Sequence, residues 1–284
     1  MHLRFFFFII YFSLNDFKLA QTKRMEANLF IGKKVIELKS VDSTNNYLSK
    51  YINETNVLNG SVILAHNQTK GRGQRENHWE SEAGKNLTFS IYLKTNFIFV
   101  HNNFLLSMAV CNALHELVSQ QCKNTQIKWP NDLFVSGKKI AGILIENTLK
   151  GASLNYSIIG IGLNVNQGIF IENNNATSIF LESNNELDIS TLLNQFYKLL
   201  EVQIRRLELN KLEEIKGYYF SKLIGYQIEL DYLIVKENRQ VKGEIIEVKN
   251  NGFLVMKINQ EEIREFEMKE IKLVNSFNKK IPNC

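Results

Sequence analysis

The chain has 284 residues, of which 44% are hydrophobic and 22% are charged, as in an ordinary globular protein. This length predicts one sizeable domain and a smaller one. The formal net charge of +5 is too small to indicate a nucleic-acid-binding protein by itself. The three cysteines have no metal-ligand spacing, which excludes a cysteine-based metal site and favours reduced thiols in a cytoplasmic protein.

The first 24 residues contain an apolar run, Phe5–Phe12, that is too short to span a bilayer. No good small-x-small cleavage site follows it, so a signal peptide is a weak interpretation. We favour the other interpretation, in which translation starts at Met25 rather than Met1. Residues 1–24 are then an N-terminal extension outside the fold.

The next part of the chain alternates between helical and strand-like patterns. Apolar residues spaced by one and four predict a helix that begins near Ser43. Residues 66–86 are polar and glycine-containing, as in a long loop, and loops of this length are usually functional or disordered. The other elements predicted here are the strands Val62–Ala65 and Leu87–Leu93 and the helix Phe104–Val118.

The second half of the chain begins with an apolar hairpin and ends with a small all-β module. Residues 166–188 are irregular, and helical periodicity runs over Ile189–Phe220. We predict a main domain over residues 25–223 and a small β domain over residues 224–284. The predicted strands are Ile140–Glu146 and Tyr156–Val165 in the hairpin, and Tyr226–Val235, Gln240–Val248, Phe253–Ile258 and Arg264–Val274 in the module.

The stretch from Lys128 to Lys139 is the most informative part of the sequence. Pro130 makes a rigid turn that is followed by the carboxylate of Asp132, and Lys139 stands at the entrance of the next apolar strand. A carboxylate and an ammonium at the edge of a buried strand favour a site for a polar, anionic ligand. A solvated hairpin tip is the alternative.

A basic, glycine-rich loop precedes this stretch. In Gly71-Arg72-Gly73 the backbone N–H groups can approach an anion while the guanidinium binds a carboxylate or phosphate. No Gly-Lys-Ser/Thr closes the loop, so it is not a Walker A motif. A solvated hairpin is equally compatible with the loop, although Trp79 and the two flanking strands favour a site.

Two further segments are compatible with a ligand. Asp42-Ser43-Thr44-Asn45 is either a helix N-cap or a set of polar groups for a ligand. Gly160 and Gly162 lie inside an apolar strand and indicate that a ligand approaches the sheet face, but the third glycine of a dinucleotide fingerprint is missing. The five histidines form neither a metal-binding pair nor a Ser/His/Asp triad, and we identify no metal ligands.

Taken in this order, the four segments resemble the motifs of biotin–protein ligases. The matching motifs are Asp-Ser-Thr-Asn, Gln-x-x-Gly-Arg-Gly with a downstream Trp, Lys-Trp-Pro-Asn-Asp with Lys-x-x-Gly-Ile-Leu, and Ile-Gly-x-Gly-x-Asn. The resemblance covers about residues 34–275. It implies an α+β fold, with a mixed, largely antiparallel sheet flanked by helices, as in class II aminoacyl-tRNA synthetases, and a small C-terminal SH3-like β-barrel.

The resemblance also implies a two-step reaction. Biotin and ATP, which enters with Mg²⁺, form biotinyl-5′-AMP and pyrophosphate. A lysine of a biotin carboxyl carrier domain then captures the biotinyl group, and this carrier would be part of a biotin-dependent carboxylase such as acetyl-CoA carboxylase. Only about ten residues separate Met25 from the start of the resemblance, so we expect the short form of the family, without sequence-specific DNA binding. We expect no membrane partner, and a homodimer paired at the sheet edge is compatible with the family.

By resemblance, the catalytic residues are Lys139, Arg72 and Asp132. Arg72 and Lys139 would supply positive charge where the biotin carboxylate meets the α-phosphate of ATP. Asp132 would orient Lys139 or receive the proton of the incoming lysine. The residues that would bind biotin are Ser43, Thr44, Asn45, Gln68, Gly71, Arg72, Gly73, Lys139, Gly142 and Gly160. The residues that would bind ATP or the adenylate are Arg72, Gln74, Arg75, Trp79, Asn131, Lys139 and Asn164.

The chain departs from the family loop at two positions. Gln74 stands where the family often has Arg, and Glu76 stands where it often has Gly. An Arg at the first position helps to hold the adenylate. Its loss would loosen the intermediate unless Arg75 takes its place.

Two alternatives stay open. A lipoate or octanoate ligase or transferase of the same fold would need a longer apolar tunnel and would lack the Trp-Pro-Asn-Asp turn. A biotin-binding regulator without catalysis would have no need of both Arg72 and Lys139 near one site.

Overall fold

The computed structural model describes residues 30–74, 77–171 and 175–274. The predicted extension, residues 1–24, lies outside the described residues. A large sheet is built from β1 (Val35–Leu38), β2 (Val62–Ala65), β3 (Leu87–Lys94), β4 (Thr125–Lys128), β5 (Asp132–Val135), β6 (Lys138–Lys150) and β7 (Ser153–Leu163). The strand order is β1-β2-β3-β7-β6-β5-β4. β1 and β2 are parallel and all other neighbours are antiparallel, so the sheet is mixed.

Helices cover the large sheet. They are α1 (Thr44–Glu54), α2 (Phe104–Ser119), α3 (Ile179–Ser183), α4 (Ile189–Glu208) and α5 (Leu212–Lys222). Nearly every side chain of α2 is buried, because the helix lies between the sheet on one side and α4 and α5 on the other. Asp188 caps the start of α4, because its carboxylate accepts a hydrogen bond from the Thr191 N–H at 2.7 Å.

The C-terminal strands form a second, fully antiparallel sheet. Its strands are β8 (Leu230–Ile234), β9 (Arg239–Val248), β10 (Leu254–Ile258), β11 (Glu262–Phe266) and β12 (Ile271–Leu273), in the order β11-β10-β9-β8-β12. The Trp129 indole N–H donates to the Gly252 carbonyl at 3.1 Å, and the Phe104 N–H donates to the Asn250 carbonyl at 2.9 Å. One continuous apolar core runs through both sheets. The second sheet is therefore anchored beside the Trp-Pro turn.

The predicted α+β class with a mixed sheet and a C-terminal β module is confirmed, with local differences. The helical pattern over 189–220 is two helices, because Asn210 has a left-handed backbone with φ of +54°. The last predicted strand is also two strands, with Lys269 at φ +75° between them. The short strands β1, β4 and β5 and the one-turn helix α3 were not predicted, because their four or five residues include polar ones, whereas the four residues of β2 are all apolar.

No helix among the described residues is long and apolar enough to cross a membrane.

A neutral histidine is buried between α2 and the sheet. His115 Nε2 lies 3.0 Å from the Thr125 carbonyl, so this nitrogen carries the hydrogen and donates. Nδ1 lies 2.9 Å from the Tyr218 hydroxyl, which donates to it. Burial lowers the pKa of His115 to about 4, the Thr125 contact opposes this shift, and the nearby Lys222 ammonium adds to it.

This burial predicts a pH dependence of stability. The pKa of His115 is lower in the folded chain than its value of about 6.5 in an unfolded chain, so the unfolded state binds more protons between these values. Stability is therefore lost as the pH falls from about 6.5 towards 4. Between pH 7 and pH 5 we expect this group to account for a loss of about 2 kcal/mol in the free energy of unfolding.

Urea unfolding of wild type and His115→Gln at the two pH values measures this effect. The wild type should lose about 2 kcal/mol more than the variant over the interval. An equal loss in both proteins would contradict the prediction.

Candidate active site

A cavity of about 500 Å³ lies between the two sheets. Its walls come from the start of α1, the loop 68–79 (of which residues 68–74 and 77–79 are described), the turn 128–132, the strands β6 and β7, and the second sheet. Thirteen of the residues predicted from the sequence line it: Ser43, Thr44, Asn45, Gln68, Arg72, Gly73, Gln74, Trp79, Asn131, Asp132, Lys139, Gly142 and Gly160. Segments that are far apart in the sequence therefore meet around one space.

An ion pair stands at one wall of the cavity. The Lys139 ammonium lies 2.7 Å from the Asp132 carboxylate, and about three quarters of each side chain is buried. β5 and β6 are joined by the two residues Ser136 and Gly137, both with positive φ, and such a tight turn places the two strands side by side. The Lys139 ammonium is also 5.7 Å from the centre of the Trp79 ring. The alternative interpretation, in which Lys139 lies at a solvated hairpin tip, is wrong, because the Lys139 side chain packs back against Asp132.

A second cation enters the cavity from the loop 68–79. Arg72 lies in a narrow hairpin, in which the Gly73 N–H donates to the Asn77 carbonyl at 2.7 Å. One end of the guanidinium donates to Asn46 Oδ1 at 2.6 Å, and the other donates to the Glu146 carboxylate at 2.8 Å. Arg72 and Lys139 thus line the same cavity, and each is paired with a carboxylate.

The start of α1 belongs to a buried hydrogen-bond network. The Ser43 side chain does not cap the helix. The Gln68 side-chain oxygen instead accepts from the Thr44 N–H at 2.8 Å and lies 3.2 Å from the Thr44 hydroxyl. The Ser90 hydroxyl lies 2.7 Å from Thr44 Oγ1 and 2.6 Å from Asn45 Oδ1. Polar groups at this wall are therefore fixed by one another.

The glycines of β6 and β7 leave room for protein side chains. A Cβ atom on Gly160 would lie 2.3 Å from Asn45 Oδ1, and one on Gly162 would lie 2.3 Å from the Trp79 ring. The sequence pattern was interpreted as the approach of a ligand to the strand. That interpretation is corrected: side chains of this chain occupy the space above these two glycines.

Three predicted site residues are not in the cavity lining. Gly71 and Asn164 lie outside it, and Arg75 lies outside the described residues. The Asn164 side-chain amide donates to the Thr177 carbonyl at 2.9 Å, and its Oδ1 is buried without a partner among the described residues. A Cβ on Gly71 would lie 2.5 Å from the Trp79 carbonyl, so this glycine lets the hairpin close.

Several polar residues at the site were not predicted. Lys128, Asn77, His78, Lys269 and Lys272 line the cavity. Burial lowers the pKa of the Lys128 ammonium, with Lys139 adding to this shift and Asp132 opposing it. Lys128 could have been found from its place in the Lys-Trp-Pro-Asn-Asp motif, whereas the lysines of the second sheet carry no sequence signal. In the part of the chain that the structure describes, no group of three His, Cys, Asp or Glu residues could hold a metal ion.

Part of the chain is similar to known protein ligases. Residues 37–164 match the model of the biotin/lipoate A/B protein ligase family. The chain is 26% identical over 247 residues to the bifunctional ligase/repressor BirA of Bacillus spizizenii, covering 86% of this chain and 75% of that protein. It is 32% identical over 137 residues to the protein of that name in Escherichia coli, covering 47% of this chain and 41% of that protein.

The fold is also that of a solved structure. A biotin protein ligase from Aquifex aeolicus, in complex with biotin and ATP, aligns with a TM-score of 0.67 at 29% identity, covering 86% of this chain and 100% of that chain. The resemblance to biotin–protein ligases and the predicted fold are both confirmed by these comparisons.

The close contact between Gly162 and Trp79 predicts a spectroscopic effect. The chain has two tryptophans, so Trp129→Phe leaves Trp79 as the only one. In that background Gly162→Ala should push the indole off the strand and shift its fluorescence emission to longer wavelength, because the added Cβ would overlap the ring. Gly217→Ala is the matched control, since a Cβ at this position of α5 meets nothing within 4 Å. Emission that stays unchanged in Gly162→Ala would contradict the observed packing.

Proposed function

We propose that the chain, whose residues 37–164 match the biotin/lipoate A/B protein ligase family, is an ATP-dependent biotin–protein ligase. It activates biotin as biotinyl-5′-AMP and transfers the biotinyl group to a lysine of a biotin carboxyl carrier domain. The observation that carries this proposal is the convergence of Arg72 and Lys139 on one cavity. A reaction between two anions needs positive charge at their junction.

In the first step, a biotin carboxylate oxygen attacks the α-phosphorus of ATP. A bond forms between this carboxylate oxygen and the α-phosphorus. The bond between the α-phosphorus and the oxygen that bridges to the β-phosphate breaks, and pyrophosphate leaves. Arg72 and Lys139 reduce the repulsion between the carboxylate and the phosphate and stabilise the charge of the transition state. Mg²⁺ accompanies ATP as the counter-ion of its phosphates, and we assign no protein ligands to it.

In the second step, the amine of the acceptor lysine attacks the carbonyl carbon of the mixed anhydride. The carbon–oxygen bond to the phosphate breaks, AMP leaves with the bonding pair, and the nitrogen loses a proton. Asp132 is the carboxylate that could receive this proton, and its 2.7 Å contact with Lys139 also holds that ammonium at the junction.

The two substrates occupy different walls of the cavity. Biotin binds beside the network of Ser43, Thr44, Asn45 and Gln68, next to Gly142. Gly160 acts here through Asn45, whose side chain lies over it. The adenylate binds towards Gln74, Trp79 and Asn131, which line the cavity. The assignments of Gly71, Gly73, Arg75 and Asn164 also stay predictions.

The comparisons favour biotin over lipoate or octanoate as the substrate. The matched family model covers both kinds of ligase, but the relatives reported above are named for biotin or for a ligase/repressor, and the aligned structure holds biotin and ATP. An acetyl-CoA carboxylase subunit is the proposed source of the carrier domain, as in a Mycobacterium tuberculosis relative named for that acceptor. The cytoplasmic location, the absence of sequence-specific DNA binding and a homodimer stay predictions.

Removing the Lys139 ammonium tests the proposed chemistry. Lys139→Ala should reduce the transfer of labelled biotin to a carrier domain by about 100-fold, as expected for one preorganised electrostatic group. Lys138→Ala is a matched control, because this neighbouring lysine is exposed and does not line the cavity. It should keep wild-type activity. Equal activity of Lys139→Ala and Lys138→Ala would contradict the role of Lys139.

Gln74 tests how tightly the intermediate is held. Its side-chain nitrogen lies 3.8 Å from the Met268 sulfur, a weak contact that a longer cationic side chain can give up. Gln74→Arg should slow the dissociation of biotinyl-5′-AMP by about tenfold, because a charge-assisted hydrogen bond to phosphate is added. The measurement is the release rate of labelled adenylate from the preformed complex. An unchanged rate would exclude a role of this position in retention.

A further inference from the structure

The Glu146 carboxylate connects two residues of the site. Its Oε2 accepts from the Asn45 side-chain amide at 2.6 Å, and its Oε1 accepts from the Arg72 guanidinium at 2.8 Å. Asn45 lies at the start of α1, Arg72 lies in the loop 68–79, and Glu146 lies in β6. One side chain of the rigid sheet therefore holds a helix and a loop in a fixed relation.

We propose that Glu146 is a positioning residue, which holds Asn45 at the biotin wall and Arg72 at the junction of the two substrates. The inference rests on the proposed function. Glu146 need not touch either substrate, since it acts through the two residues that line the cavity. Glu146 would fix the positions of Asn45 and Arg72 before biotin and ATP bind.

Only a carboxylate satisfies both contacts. Asn45 and Arg72 each present an N–H donor to Glu146, so the residue between them must accept on both sides. The terminal amide of a glutamine has one acceptor oxygen and an NH₂ group with two N–H donors, and this NH₂ group would face a donor on one side. Glu146→Gln therefore keeps the size of the side chain but loses one of the two contacts.

The surrounding contacts allow Asn45 little freedom to adapt. Its Oδ1 is 2.6 Å from the Ser90 hydroxyl, and the absence of a side chain on Gly160 lets it lie close to β7. With Oδ1 held in this way, the Nδ2 group points to Glu146 and to the Leu144 carbonyl, 3.4 Å away. The orientation of the Asn45 amide is thus fixed by the Ser90 hydroxyl at its oxygen and by two acceptors at its nitrogen.

The Arg72 side of the bridge is equally defined. A second N–H of the Arg72 guanidinium donates to Asn46 Oδ1, and the Asn46 amide nitrogen donates to Asp42 at 2.9 Å. This contact is also the main cause of the lowered pKa of the Asp42 carboxyl. Two of the guanidinium N–H groups are in use, so the others stay available for an anion.

The Arg72–Glu146 pair itself contributes little to stability. Both side chains are more than a third exposed, and solvent screens an ion pair of this kind. Glu146→Gln should therefore fold normally. Its effect should be on the reaction, because a misplaced charge at the junction lowers the rate without loosening the core.

The test is the rate of biotin-dependent exchange between pyrophosphate and ATP, which reports the first step alone. Glu146→Gln should lower kcat by about tenfold and raise the KM for biotin, since Arg72 acts in the transition state and Asn45 in binding. In an Arg72→Ala background, adding Glu146→Gln should leave kcat unchanged, because the residue through which Glu146 acts is gone. The rise in the KM for biotin should persist there.

The control is Glu186→Gln, which removes an exposed ion pair with Lys85 at 3.5 Å, away from the cavity lining. It should keep the wild-type kcat and KM. Glu146→Asp should recover part of the lost kcat, because a carboxylate again accepts on both sides.

The outcomes separate this inference from the proposed function. A wild-type protein without exchange activity would contradict the proposed function. An active wild type with an unaffected Glu146→Gln variant would contradict the role of Glu146. An equal fall in kcat in both the wild-type and the Arg72→Ala backgrounds would also overturn it, since Glu146 would then act independently of Arg72.

Discussion

Positive charge held partly out of water is the constraint on which this site depends. An ammonium or guanidinium that leaves solvent needs a counter-charge, and here each cation has its own carboxylate. Lys139 pairs with Asp132, and Arg72 pairs with Glu146. Asp132 is the first residue of β5 and Glu146 lies within β6, so the sheet fixes where both carboxylates stand. The substrates would thus meet charges that are already in place.

The site also requires that β7 carries no side chains at two positions next to the cations. Gly160 and Gly162 carry no side chain, so Asn45 and the Trp79 ring lie directly on β7. Larger residues at these positions would lift both side chains into the cavity. β7 therefore both supports the site and forms part of its wall. A packing error on this strand would displace Asn45 and Trp79 in the cavity.

The second sheet completes the enclosure. It is attached through Trp129 and the start of α2, and it contributes apolar and lysine side chains to the cavity wall. The Trp-Pro turn thus has two tasks: it leads into Asp132, and its indole binds the second sheet. The site is composite, and the contact between the sheets helps to set its shape.

The sequence by itself determined most of the residues that line the cavity and most of the larger elements. Arg72, Asp132 and Lys139 lie in short segments whose residue types are unusual. They can therefore be recognised without knowing which residues they contact in the fold. The larger strands and the long helices follow from their apolar periodicity, while a short strand that contains a polar residue, such as β1, carries too little pattern to be found.

Only the tertiary structure decided the role of Glu146 and the use of the glycines. Glu146 ends an ordinary apolar run, and its partners Arg72 and Asn45 lie 74 and 101 residues away in the sequence. Such contacts depend on which strands are neighbours and in which register. Local periodicity contains no information about either, so these positions acquire their meaning only when the sheet has formed.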